Sequence, residues 1–136
     1  MKFSHALVFF TIFIAVIMIV AGGFVFKRTT SDVSPLWLTP QEAKKLIDHA
    51  PDVVLLDLSR NFYSNGHLPG ALNYTKCAIP EVISNFNKNR TYIVYCHGAG
   101  APLSSANKLK AAGFYNTYAL AGNYGAWLDA GYSIEN

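Results

Sequence analysis

Residues 91–102, which read TYIVYCHGAGAP, decide the fold. The apolar, β-branched and aromatic run Tyr92–Tyr95 predicts a buried strand, and Cys96 follows it directly. After a loop of small and flexible residues, Pro102 opens a segment with a helical pattern, residues 103–112. This order predicts a thiol at the carboxyl end of a strand, facing the N-terminus of a helix.

The loop after Cys96 predicts a site for an anion. The unpaired N–H groups and the positive dipole end of a helix N-terminus favour a thiolate over a thiol. Gly98 and Gly100 allow the loop amides to fold inward as an anion-binding nest. We therefore expect Cys96 to be an ionised nucleophile that meets an anionic substrate. The alternative from this local pattern is that Cys96 packs in the core as a small hydrophobic residue.

Length and hydropathy divide the chain of 136 residues into a membrane segment and one domain. Residues 6–26 carry no charge and are almost all apolar. At about 1.5 Å per residue they span the roughly 30 Å hydrocarbon core of a bilayer, so membrane lipid is their expected partner. We expect an N-terminal transmembrane anchor over residues 1–28, a linker over 29–37 and a folded domain over 38–136.

A cleaved signal peptide is the alternative to this anchor, because Lys2 precedes the apolar core and residues 20–22 resemble a cleavage site. The apolar run continues to Phe26 and meets Lys27 and Arg28, which favours an uncleaved, single-pass membrane protein. Basic residues nearly balance across the span, so the positive-inside rule leaves the side of the membrane open. Cleavage would instead imply an exported or periplasmic protein.

Charge and cysteine content exclude several classes of partner. The net charge of +3 belongs to the N-terminal segment, where Lys2, Lys27 and Arg28 lie, because the eight other basic residues are matched by eight acidic ones. No basic stripe with interleaved aromatic residues is present, so we expect no nucleic-acid partner. Cys77 and Cys96 are too few for a disulfide framework and lack zinc-ligand spacing, so we expect no metal and no cofactor.

The remainder of the domain alternates predicted helices and strands. A capping box, Thr39 to Glu42, opens a helix that runs to about His49. Further patterns predict strands over 53–57, 71–74 and 117–120, a helix over 80–86 and a short helix after Gly122. Such alternation predicts a parallel sheet covered on both faces, with the functional site beyond the carboxyl ends of the strands. Asp57 and Cys96 should therefore share one edge of the sheet.

Three further side chains have competing interpretations. Asp57, at the end of a predicted strand, either binds a ligand or caps the turn that starts at Ser59, and the cap is favoured. His67 is interpreted as a hydrogen-bonded structural histidine rather than a catalytic base, because no nucleophile lies near it in sequence. Trp127 is interpreted as a core residue rather than a binding platform.

Four separated motifs then occur in order. They are the strand ending in Asp57, the stretch Gly66-His67-Leu68-Pro69-Gly70-Ala71-Leu72-Asn73, the strand Val94-Tyr95-Cys96 with its loop, and the segment from Leu120-Ala121-Gly122 through Trp127 to Gly131-Tyr132. Together they make the region Leu38–Glu135 resemble a single rhodanese domain. The resemblance implies a rhodanese-like three-layer α/β fold, a central parallel sheet with helices on both faces, here preceded by one transmembrane helix.

The resemblance also implies a sulfurtransferase activity. Cys96, as a thiolate, would attack the outer sulfur of thiosulfate or another sulfane donor and become a persulfide, and a second nucleophile would take that sulfur. The implied partners are small sulfur-containing anions or persulfides, together with a protein sulfur acceptor. The thiolate and the persulfide would be cradled by the backbone amides of His97, Gly98, Ala99, Gly100 and Ala101.

Two departures from the family's pattern bear on the sulfur donor. Many members carry an arginine five residues after the cysteine, where this chain has Ala101. The strand that commonly ends Asp-x-Arg here continues from Asp57 to Arg60, which is either a substrate-binding stand-in or a surface charge. His97 is either a source of partial charge or a solvent-exposed loop residue. Without a loop cation, we expect weak thiosulfate binding and a low-molecular-weight persulfide or a protein as donor.

Three other functions compete with sulfur transfer. Cysteine phosphatases need an arginine six residues after the cysteine, where Pro102 stands, which argues against that activity. A non-catalytic binding or regulatory module at the membrane is disfavoured by the presence of Cys96, because inactive rhodanese domains commonly lose that residue. A thiol-redox role would pair Cys96 with Cys77, and the sequence leaves their approach open.

Overall fold

The structure is a computed structural model that describes residues 36–98 and 101–136. The predicted anchor, over residues 1–28, lies outside these residues, as do residues 29–35 of the predicted linker. Within the described ranges, no helix is long and apolar enough to cross a membrane.

A five-stranded sheet forms the centre of the domain, in the spatial order β1-β5-β4-β2-β3. Every strand pairs with its neighbours in the parallel direction. This confirms the parallel sheet that the alternating pattern predicts. The strands β1 to β5 are Trp37–Leu38, Val54–Asp57, Leu72–Asn73, Tyr92–Tyr95 and Thr117–Leu120.

Helices cover both faces of the sheet and enclose two apolar clusters. Val82 and Leu109, from α2 and α3, pack with Val94 on one face. Ala43 and Trp127, from α1 and α4, belong to the cluster on the other face, so Trp127 is a core residue as predicted. The three-layer fold is therefore confirmed. The helices α1 to α4 are Pro40–His49, Ile79–Asn85, Ala101–Ala111 and Asn123–Asp129.

Local sequence explains where α1 begins. The Thr39 hydroxyl accepts a hydrogen bond from the Glu42 N–H at 3.3 Å, and a Glu42 carboxylate oxygen accepts one from the Thr39 N–H at 2.8 Å. This reciprocal pair is the predicted capping box, and it satisfies two N–H groups that the helix itself leaves unpaired. The helix ends at His49, the predicted residue.

Strands 53–57 and 71–74 are shorter than expected, the helix expected over 80–86 begins and ends one residue earlier, and two further boundaries differ in ways that bear on the site. Trp37, expected in the linker, pairs with Ala119 as part of edge strand β1. A strand of two residues is too short to show a periodic pattern, so its pairing depends on the neighbouring β5. Helix α3 begins at Ala101, which makes Pro102 its second residue. The first turn of a helix tolerates proline at either position, because neither N–H needs an intrahelical partner.

The register of the sheet places the site. Asp57 of β2 pairs with Tyr95 of β4, and the Leu58 N–H donates a hydrogen bond to the Tyr95 carbonyl at 2.8 Å. Cys96, which follows Tyr95, thus lies at the same carboxyl edge as Asp57. This confirms the expectation that the two residues share one edge of the sheet.

Candidate active site

Cys96 lies directly after β4, and only 6% of its surface is exposed. Its backbone is held by the start of α4. The Cys96 N–H donates a hydrogen bond to the Asn123 side-chain oxygen at 3.4 Å, and the Cys96 carbonyl accepts one from the Tyr124 N–H at 3.1 Å. The thiol itself donates to the Gly98 carbonyl, two residues along the loop.

This environment raises the pKa of the Cys96 thiol, chiefly because burial removes water that would solvate the thiolate. Backbone hydrogen bonds at Gly98 and Ala101 act in the opposite direction without reversing the shift, and the negative charge of Asp57 adds to it. This direction runs against the expectation of a thiolate in the free protein, which stays a prediction. The sequence showed the amides of the loop, but the loss of solvent around the sulfur depends on tertiary packing.

The predicted amide cradle is described only in part. His97, Gly98 and Ala101 belong to the described residues, whereas Ala99 and Gly100 lie outside them. The Gly98 carbonyl accepts both the thiol proton and a hydrogen bond from the Asn123 side-chain nitrogen, at 3.0 Å. The cradling of a substrate anion by all five amides stays a prediction.

Asn123 is a site residue that the sequence analysis missed. Its side-chain amide joins both ends of the segment Cys96–Gly98, accepting from the Cys96 N–H and donating to the Gly98 carbonyl. It has a left-handed backbone, with φ of 58°, directly after Gly122, with φ of 69°. A Cβ atom at Gly122 would lie 2.5 Å from the Ala126 Cβ, so glycine is needed there. The signal in the sequence was a Gly-Asn pair at a helix start, since asparagine tolerates this conformation.

The His97 side chain turns inward, and only 12% of it is exposed. The imidazole stacks with two rings, with its centroid 4.0 Å from that of Tyr124 and 5.9 Å from that of Phe62. Its Nε2 atom lies 3.4 Å from Oδ2 of Asp57. The interpretation of His97 as a solvent-exposed loop residue was therefore wrong.

Asp57 is fully buried at the end of β2. Its Oδ1 atom accepts hydrogen bonds from the Ser59 N–H, at 2.7 Å, and from the Ser59 hydroxyl. The predicted cap on this turn is therefore confirmed. Its other oxygen, Oδ2, faces His97.

Arg60, the candidate stand-in for the arginine of the Asp-x-Arg pattern, is exposed, and its Nη2 atom lies 3.9 Å from the sulfur of Cys77. Cys77 is exposed while Cys96 is buried, and both are free thiols. Cys77 and Lys76 line a groove of about 860 Å³ between α2 and α3. Substrate binding by Arg60 stays a prediction.

His67 has a structural role at the same edge of the sheet. Its ring stacks on Tyr63 with a centroid distance of 3.8 Å, and its Nδ1 lies 3.1 Å from the Tyr63 carbonyl. The interpretation as a hydrogen-bonded histidine is confirmed. Across residues 36–98 and 101–136, no three histidine, cysteine or acidic side chains are grouped as metal ligands would be.

Comparison with known proteins connects this arrangement to a family. The family model described as a rhodanese-like domain matches residues 39–130. The thiosulfate sulfurtransferase GlpE of Shewanella oneidensis is 29% identical over 82 residues, which cover 60% of this chain and 81% of that enzyme.

Solved structures show the same fold. The solution structure of a rhodanese-like domain from an Anabaena protein matches with a TM-score of 0.68 and 26% identity, covering 74% of this chain and 79% of that one. A Rhodopseudomonas palustris protein of unknown function, described as a possible tyrosine phosphatase, matches with a TM-score of 0.66 and 26% identity. That match covers 75% of this chain and 86% of the other.

Proposed function

Since the chain belongs to the family of rhodanese-like domains, we propose that it is a sulfurtransferase that moves a sulfane sulfur from thiosulfate or a persulfide to a thiophilic acceptor through a persulfide on Cys96. The observation that carries this proposal is the position of Cys96. It is a free thiol at the carboxyl edge of a parallel sheet, at the start of the loop that leads into α3. Relatives of this chain are named thiosulfate sulfurtransferases.

The reaction divides into two displacements at sulfur. In the first, the Cys96 sulfur attacks the outer sulfur of thiosulfate, the bond between the two donor sulfurs breaks, and sulfite leaves with the electron pair. In the second, a nucleophile such as a thiol or cyanide attacks the outer sulfur of the persulfide, and Cys96 leaves as a thiolate. Because burial raises the pKa of Cys96, the thiol proton must be given up as the donor binds, and it passes to the departing sulfite or to water.

The charges near Cys96 favour a donor other than thiosulfate. Ala101 provides no cation, and the His97 imidazole faces the carboxylate of Asp57. Within the described residues, the side chain of Arg60 contacts the sulfur of Cys77 and not that of Cys96. We therefore propose a low-molecular-weight persulfide or a protein persulfide as the better donor, and a protein thiol as one acceptor.

Intact-mass measurement after incubation with thiosulfate, cysteine persulfide and glutathione persulfide, in turn, tests the proposal. The wild type should gain the mass of one sulfur atom, most readily from the two persulfides. Cys96→Ser should gain none, whereas Cys77→Ser should behave as the wild type. No gain with any donor, or a persulfide on Cys77 alone, would overturn the assignment and leave a binding module or a redox role.

We also propose that residues 6–26 anchor the protein in a membrane as a single span. The support is the uncharged apolar run, whose length matches the bilayer core, followed by Lys27 and Arg28. After expression of the full chain, the protein should stay in the membrane pellet through alkaline carbonate washing and dissolve only in detergent. A chain lacking residues 1–28 should leave the pellet. Release of the full chain by carbonate, or its recovery in a cleaved form, would contradict the anchor.

A further inference from the structure

We propose that His97 is a positioning residue. A hydrogen bond from its Nε2–H to the buried Oδ2 of Asp57 holds the segment Cys96–Gly98, here called the Cys96 loop, so that the Cys96 sulfur is placed to accept sulfur from a donor. This proposal rests on the sulfurtransferase function proposed above. It assigns a task to two side chains on different elements, the end of β2 and the loop that follows β4.

The first argument is that these two buried atoms face each other. Oδ2 of Asp57 and Nε2 of His97 are both shielded from solvent, and neither has a hydrogen-bond partner of good geometry within the described part of the chain. The Tyr95 hydroxyl is another polar group that interacts with the Asp57 side chain. Oδ2 and Nε2 lie 3.4 Å apart, slightly longer than a formed hydrogen bond. Burying a carboxylate oxygen or a ring nitrogen without a hydrogen bond costs folding free energy. A hydrogen bond from Nε2–H to Oδ2 would remove both costs, since the nitrogen donates and the oxygen accepts.

The second argument is that the surroundings fix both side chains in this orientation. Tyr124 and Phe62 both stack on the imidazole, with interplanar angles of 16° and 18°. Ser59 holds the other carboxylate oxygen through two hydrogen bonds. The Tyr95 hydroxyl also faces Asp57. Of the basic side chains in residues 36–98 and 101–136, His97 alone comes within 4.0 Å of this carboxylate.

The third argument connects the pair to the sulfur. His97 stands between Cys96 and Gly98, whose carbonyl accepts the thiol proton. A hydrogen bond from the His97 ring to Asp57, at the end of β2, restricts the backbone of the residues before and after His97. Asn123 holds the same segment from α4, so the loop is attached to the fold at two points. Small displacements of a reacting group can cost large factors in rate, so loss of one of these attachments should lower kcat.

A double-mutant cycle tests the proposal in a steady-state assay with cyanide as acceptor. His97→Phe keeps an aromatic ring beside Phe62 and Tyr124 but removes Nε2, and Asp57→Asn keeps an oxygen that can accept from Ser59. Each variant should lower kcat about tenfold or more with little change in KM for the donor. The double variant should be no slower than the slower single variant, because both substitutions remove the same hydrogen bond, the one between His97 and Asp57. His97→Gln, whose side-chain amide can donate to Asp57, should recover part of kcat.

Imidazole nitrogen–proton NMR gives a second readout that does not depend on activity. The His97 Nε2–H should give a slowly exchanging signal in the wild type that disappears in Asp57→Asn. The exposed His49, whose Nδ1 contacts the Lys45 carbonyl, serves as the control and should be unaffected by that change. If Asp57→Asn is too unstable for kinetics, the slow exchange of the wild-type signal still provides a test, and its loss in His97→Phe assigns it to His97.

The outcomes separate the two proposals. If the wild type accepts no sulfur, the proposed sulfurtransferase function is wrong. The positioning role of His97 in sulfur transfer is then wrong too, even if the NMR signal shows that the hydrogen bond to Asp57 exists. If the wild type transfers sulfur but His97→Phe lowers only the melting temperature and leaves kcat intact, the pair is merely structural and the present inference is overturned. Additive losses in the double variant, or no protected Nε2–H signal, would overturn it as well.

Discussion

The surroundings of Cys96 favour the thiol over the thiolate. Burial raises the pKa of this thiol, and the Gly98 carbonyl accepts its proton. A buried, protonated thiol is protected from adventitious oxidation, because the thiolate is the reactive form. We expect a bound donor to displace the contact with Gly98 and so to release the thiol for reaction. The residues around the thiol thus help to set its reactivity.

Alkylation kinetics should show this preference for the thiol directly. Because the pKa of Cys96 is raised, its thiolate fraction grows only at alkaline pH, and the midpoint of its pH–rate profile with iodoacetamide should lie above about 8.5, the usual value for free cysteine. The measurement is made on Cys77→Ser, so that one thiol is followed, with N-acetylcysteine as the reference compound. A midpoint at or below that of the reference would contradict the predicted direction.

Replacements of Asn123 should separate its two hydrogen bonds. Asn123→Gly keeps the left-handed backbone but removes both side-chain hydrogen bonds to the segment Cys96–Gly98. It should lower kcat about tenfold or more, since two hydrogen bonds of about 1 kcal/mol each are lost. Asn123→Asp keeps the acceptor for the Cys96 N–H, loses the donor to the Gly98 carbonyl and adds a negative charge near the thiol. It should shift the alkylation profile of Cys96 to still higher pH, whereas Asn123→Gly should not. Equal profiles would contradict this division of roles.

At the scale of elements, the site is made by the ends of strands and by the helices that follow them. The end of β2 provides Asp57, the end of β4 leads into Cys96, and the start of α4 provides Asn123 and Tyr124. Helix α3 begins at Ala101, five residues after the cysteine, with no arginine in its first turn. The same arrangement of strand, loop and helix could bind an oxyanion, but this chain does not provide the guanidinium for it.

We therefore predict that the protein does not hydrolyse aryl phosphates, although a structural relative is described as a possible tyrosine phosphatase. The arginines of the described residues are engaged elsewhere, Arg60 with Cys77 and Arg90 with the Asp52 carbonyl at 2.8 Å. Release of p-nitrophenol from p-nitrophenyl phosphate should be the same for the wild type and Cys96→Ser. Hydrolysis that depends on Cys96 would contradict this prediction.

At the scale of the whole molecule, the order of the strands decides which chain segments meet. Strand β4 lies between β5 and β2, so the Cys96 loop is flanked by the ends of two strands from distant parts of the chain. The described buried members of both core clusters come from the sheet and from the helices on its two faces. The folded domain therefore contains the residues that make the site.

Removal of residues 1–28 should leave sulfur transfer and thermal unfolding of the domain unchanged, because the described members of both apolar clusters lie in the part that remains. The shortened chain and the detergent-solubilised full chain are compared by kcat, with a cysteine persulfide as donor, and by melting temperature in the same detergent. A large loss of either in the shortened chain would show that the N-terminal segment contributes to the fold or to the site.

Much of this arrangement could be predicted before the structure. The parallel sheet, the capping box of α1, the strand Tyr92–Tyr95 and the shared edge of Asp57 and Cys96 all follow from patterns within short windows of sequence. Edge strand β1 and the role of Asn123 could not be predicted in this way. Both depend on partners about 25 residues or more away along the chain, which no local pattern displays.

The sequence by itself determined the elements, their order, and the presence of a cysteine where a strand meets a helix, because hydrophobic period, caps and breakers act over a few residues. Only the tertiary structure decided the state of that cysteine and the orientation of His97. Burial raises the thiol pKa, and the pairing of His97 with Asp57 requires two strands to lie side by side. Desolvation and contacts between distant segments are properties of packing, so they become defined only when the chain is folded.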